Sequence, residues 1–86
     1  MHINQLTEIV KTKIRVGTDI EDIIIEDKTY LHLKHTSHEK NKFHIKIKIK
    51  SKYLKKMNKI KSTKIIYRLI RDEMKKYIHS IQLNIF

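Results

Sequence analysis

Apolar positions recur at two different periods along this chain, and the changes between them mark out its elements. Leu6, Ile9, Val10 and Ile14 fall on one helical stripe, with Asn4 placed to cap the start. Gly17, the single glycine, suits a left-handed position after the last turn. Ile23 to Ile25 with Glu26 and Asp27 predicts a short strand. From Tyr30 to Lys42, His32, His35 and His38 stand among Lys, Thr, Ser and Asn with no period, as in a strand fraying into a loop. The clearest signal comes next. Phe43, Ile45, Ile47 and Ile49 alternate with His44, Lys46, Lys48 and Lys50, a period of two that puts the apolar groups on one sheet face and the lysines on the other. Leu54, Met57 and Ile60 predict a short helical turn. Ser62 or Thr63 then caps a longer helix with a stripe of Ile66, Leu69, Ile70, Met74 and Tyr77. Ile81, Leu83 and Ile85 alternate with Ser80, Gln82 and Asn84 in a last strand.

The predicted order is helix, strand, strand, short helix, helix, strand, an α+β class. Three strands cannot close a barrel, so the helices must cover the apolar face and leave the lysine face in water. The order α-β-β-α-α-β is that of a small KH-like domain whose two consecutive helices form a helix-turn-helix-like unit. We expect residues 1–86 to form one domain, because a chain of 86 residues buries only about two-thirds of its unfolded surface and has no apolar residues to spare for a second core.

Composition narrows the chemistry. With no cysteine, disulfides and thiolate metal sites are excluded, and any metal would need histidine or carboxylate ligands. The run Ile23-Ile24-Ile25 is far short of the ~20 residues of a membrane span, and the N-terminus lacks the basic-then-apolar layout of a secretory signal. An intracellular, cytoplasmic protein with no membrane partner is the expectation. No Ser or Thr stands with an evident base, the acids show no paired spacing, and so small a domain has little room for a closed pocket. Enzymatic activity is not expected.

The net charge is +11, and no acid occurs between Lys40 and Arg71. Lys46, Lys48 and Lys50 on the open sheet face, with Lys55, Lys56, Lys59, Lys61 and Lys64 around the helical turn, make a candidate phosphate-binding patch. Against this, 17 of the 20 basic residues are lysine, which reads bases poorly. There is also no aromatic stripe for stacking and no Gly-rich clamp loop. Non-specific binding fits these residues better than sequence reading, and a solvated lysine face fits them equally well.

The histidines are the remaining chemistry. His79 stands where the long helical pattern gives way to the last strand, a position that is most often structural. His32, His35 and His38 have a spacing that could suggest zinc, but loop histidines without a carboxylate or cysteine at a firm spacing are more often solvated. His44 belongs to the lysine side of its strand and His2 to the terminus, and neither is expected in a site.

Several blocks together resemble the BolA family. "HIKIKIKS" at 44–51 is similar to that family's "HF.V..VS", and the spacing from Ser51 through Leu54, Ile60, Ile66-Tyr67 and Asp72-Glu73-Met74 to Ile78-His79 follows its pattern without a gap. "IYRLIRDEM" at 66–74 resembles its "VY..L..EL" helix, "IHSIQL" at 78–83 its "VHAL.L" strand, and "KTKI" at 11–14 with "IIIEDKT" at 23–29 its first helix and first strand. Ser62-Thr63-Lys64 replaces the family's Arg-His-Arg style run, the loop after the first strand is a few residues longer, and the sequence ends without the family's further C-terminal segment.

The resemblance implies an adaptor that pairs with a monothiol glutaredoxin in iron-sulfur cluster trafficking or iron and redox signalling. It also implies that His79 and one loop histidine ligate a bridging [2Fe-2S] cluster whose sulfur ligands come from the glutaredoxin cysteine and glutathione, with no cluster held by the chain alone. Counting forward from the first helix points to His32, counting back from His44 points to His35, and His38 lies inside the longer loop. The alternative is a KH-like nucleic-acid-binding transcriptional regulator that uses the lysine-rich face.

Overall fold

The computed structural model describes residues 1–29 and 42–86. Its elements are α1 (Ile3–Gly17), β1 (Asp22–Asp27), β2 (Phe43–Lys50), α2 (Lys52–Lys55), α3 (Lys59–Leu69), α4 (Arg71–Lys76) and β3 (Ile78–Ile85). The sheet order is β1-β2-β3, with β1 antiparallel and β3 parallel to β2. The stretch expected to fray from strand into loop lies, apart from Lys42, outside the described residues.

The period-two pattern of β2 does what it predicts. Ile45, Ile47 and Ile49 are buried, and across the sheet they join Ile23 of β1 and Ile78 of β3. Leu6, Val10 and Ile14 of α1, Leu54 of α2, and Ile66 with Ile70 at the end of α3 close over that face as one apolar cluster. All helices therefore lie on one side of the sheet, as expected of this α+β arrangement.

Five local expectations are corrected. Helix α1 begins at Ile3, one residue before Asn4, with Gln5 Oε1 accepting from the His2 amide at 3.2 Å. Gly17 is the last residue of α1 and lies outside the left-handed region; a Cβ there would collide with Leu69 Cδ2, so glycine serves close approach between α1 and α3. Asn58 caps α3, its Oδ1 accepting from the Lys61 amide at 2.8 Å, while Ser62 is buried in the following turn and donates its hydroxyl to the Lys59 carbonyl. Because α3 starts that early, Ile60 belongs to it and not to the short helical turn with Leu54 and Met57, and it is 71% exposed on the outer face. Finally, the long helix is two: Ile70, at φ −116° and ψ 27°, interrupts it, although the bonds from Ile70 N to Ile66 O and from Met74 N to Ile70 O carry the chain across.

One charged group is taken into this otherwise apolar layer. Glu73 of α4 is buried and receives Lys13 Nζ from α1 at 2.8 and 3.0 Å, a pair that staples the first and last helices. Buried Ser51 plays a similar part at the start of α2, accepting from the Leu54 amide and donating to the Asp19 carbonyl.

Candidate functional site

His79 is placed by an irregularity of the sheet. Phe43 pairs with Ile78 and His44 with Ser80, so His79 is the extra residue of a β-bulge inserted between successive rungs. The bulge changes the phase of β3: Ile78 faces the core, His79 and Ser80 are both exposed, and Ile81, Leu83 and Ile85 resume the core side. A bulge re-aims a side chain while the neighbouring rungs keep its backbone fixed, which is what a ligating or contacting imidazole needs.

Beneath His79 lies a second histidine that the sequence reading set aside. His44 does belong to the lysine side of β2, yet it is only 5% exposed. Its Nδ1 and the hydroxyl of Ser80 share a hydrogen bond of 2.6 Å. Its ring packs on that of His79, with centroids 4.8 Å apart and planes inclined by 50°. The main chain is held as well: the His44 amide donates to Thr29 Oγ1 at 3.1 Å, its carbonyl accepts from the Lys28 amide at 2.7 Å, and the Phe43 amide donates to the Tyr77 carbonyl. Alternation with three lysines made His44 look solvated. The signal that would have corrected this is the three-residue step from Ile78 to Ile81, which breaks the period of two and announces the bulge.

Of the predicted site residues, His79 is thus exposed at the head of β3 and backed by His44. His32, His35 and His38 lie outside the described residues, whose ends Thr29 and Lys42 flank this end of β2. Among the described residues no group of three or more His, Asp or Glu side chains is arranged to hold a metal.

The lysine patch is less uniform than the acid-free run suggested. Register sets Glu26 opposite Lys46 and Asp22 opposite Lys50, and Glu26 lies 3.6 Å from Lys48 Nζ and 3.8 Å from Lys28 Nζ. Strand β1 therefore brings two carboxylates onto the face carrying Lys46, Lys48 and Lys50. Lys55, Lys56, Lys59, Lys61 and Lys64 remain exposed around the α2–α3 turn and have no described ion pair in common with them.

Comparison with known proteins decides the family. The model of the family described as BolA-like protein matches residues 14–86. This chain belongs to the BolA-like family. Protein BOLA1, chloroplastic, of Arabidopsis thaliana is 26% identical over 77 residues, covering 86% of this chain and 48% of the relative, so the chain spans about half the length of that curated protein. BolA-like structures superpose closely. BolA1 from Arabidopsis thaliana matches with a TM-score of 0.75 at 24% identity, over 93% of this chain and 88% of that one. The BolA domain of SufE1 from the same plant gives 0.76 at 21% identity, over 99% and 92%. A BolA-like protein from Babesia bovis gives 0.70 at 14% identity, over 92% and 80%. At these identities the likeness shows the shared fold. No helix among the described residues is long and apolar enough to cross a membrane.

Proposed function

We propose that this BolA-like chain is an adaptor that pairs with a monothiol glutaredoxin and supplies imidazole ligation to a shared [2Fe-2S] cluster. The observation that carries the reading is His79, exposed on a bulge whose rungs are anchored in the core strand β2, with its ring seated on buried His44. A ligand imidazole needs a fixed backbone and a side chain within reach of a partner, and the bulge and the exposure of His79 support the reading on both counts. A chain without cysteine contributes no thiolate, so on this reading the sulfur ligands come from the partner's cysteine and glutathione, and the second imidazole from His32, His35 or His38. When bound, the cluster would supply one-electron chemistry, at a potential that neutral histidine ligands raise relative to an all-thiolate centre.

The test is cluster assembly on a monothiol glutaredoxin in the presence of glutathione, with and without the purified chain. The expected result is a changed visible spectrum and a heterodimer mass. An unchanged spectrum together with an unchanged glutaredoxin dimer would overturn the proposal.

A further inference from the structure

The outer edge of β3 is an unused row of backbone groups beside an apolar, lysine-rimmed groove. The Phe86 amide donates to the Ile49 carbonyl at 2.8 Å and the Phe86 carbonyl accepts from the Ser51 amide at 3.0 Å, so both backbone groups of Phe86 face β2. Backbone direction alternates along a strand, which turns the amides and carbonyls of Ile85, Leu83 and Ile81 outward. Among the described residues no strand lies on that side of β3. Between this edge and the start of α3 runs a cavity of ≈ 250 Å³, floored by Leu54, Met57, Leu83 and Ile85 and rimmed by Lys55 and Lys59.

We propose that this groove is a docking site for an extended acidic segment of a partner protein, which adds to β3 as a fourth strand. The backbone edge matches a polypeptide, because its donors and acceptors recur every second residue, as those of an incoming strand do. The apolar floor takes one aliphatic side chain of the segment, and carboxylates two residues to either side meet Lys55 and Lys59. Charge selects this occupant over a second copy of the chain, since net charge is +11 and each copy would bring its own lysine rim to the contact. The site lies at the far end of β3 from His79, so it stands or falls independently of the cluster reading.

The probe is a short blocked peptide in which threonine alternates with glutamate, leucine and glutamate, titrated into the ¹⁵N-labelled chain. Amide shifts at Ile81, Leu83 and Ile85 are expected, with slowed hydrogen exchange at the same amides. Lys55→Glu with Lys59→Glu, two exposed positions that leave the core intact, should weaken binding at least tenfold. N-methylation of one alternate set of peptide amides should abolish binding, and of the other set leave it unchanged. The proposal is overturned if millimolar peptide shifts none of these amides, if both methylated peptides bind like the parent, or if charge reversal has no effect. It is overturned in favour of nucleic acid if an oligothymidylate shifts those amides and the peptide does not, and in favour of self-association if dilution alone shifts them.

Discussion

The imidazole of exposed His79 rests on that of buried His44 at 4.8 Å, although one residue is the extra member of a bulge and the other a regular member of the central strand. Two histidines in contact are thus divided by environment: one is exposed to solvent, the other is enclosed beneath it.

This division predicts opposite responses to alanine. His79→Ala removes an exposed ring and should cost the apo fold under ~1 kcal/mol, as for most surface substitutions, while abolishing the spectral change seen with glutaredoxin. His44→Ala opens a cavity and deletes the bond to Ser80, and should cost ~2 kcal/mol or more. Urea unfolding of both variants, with the visible spectrum of each glutaredoxin mixture, checks the pair. A persistent spectrum in His79→Ala would contradict the ligand role. Applied singly at His32, His35 and His38, the same change should copy the spectral loss at one position only.

Gly17 and Leu69 should be coupled. Alanine is a better helix former than glycine by up to ~1 kcal/mol, but its Cβ would meet Leu69, and overpacking costs ~1–3 kcal/mol. Gly17→Ala should therefore destabilise the wild-type chain by roughly 1 kcal/mol and be neutral or stabilising in a Leu69→Ala background, where the clash is gone. A double-mutant cycle by chemical denaturation measures this coupling.

The Lys13–Glu73 pair predicts a response at alkaline pH. Its hydrogen bond to Glu73, opposed by desolvation and aided by the charges of Glu73 and Asp72, raises the Lys13 ammonium above its ordinary value of 10.5. A group whose pKa is higher in the folded state contributes stability that is complete below its unfolded value and is lost as pH rises through the folded one. The difference in Tm between wild type and Lys13→Gln should then be constant up to about pH 10 and shrink above 10.5. A difference that grows over that range would contradict the pairing.

The mixed charge of the open sheet face sets the terms for any nucleic-acid contact. Log-log salt plots for duplex DNA should have a slope near ~0.9 per phosphate contacted, and Lys46, Lys48 and Lys50 changed together to Gln should flatten it. Glu26→Gln should steepen the same plot by releasing Lys48 and Lys28 from their shared carboxylate. Binding that ignores salt would remove this face from consideration.

The sequence by itself determined the sheet and its cover. The isoleucine–lysine alternation of β2 admits one facing only, because a slip of one residue would bury the lysines, and the stripe of α1 had a single apolar surface to meet. The helical stripe ending at Tyr77 and the alternation from Ser80 likewise placed His79 at the junction before the last strand, and the resemblance to the BolA family singled it out as a candidate ligand. What tertiary structure decided is whatever depends on residues distant in the chain. Gly17 was read as a residue following the last helical turn because its neighbour Leu69 is invisible to local pattern, and the burial of Glu73 depends on Lys13, which α1 brings to it from 60 residues away. The lysine face seemed free of acid because Glu26 and Asp22 reach it only through the antiparallel register of β1. His44 was set aside for the same reason: alternation tells which face a side chain takes, but whether that face is covered depends on His79 and Ser80, which arrive from β3.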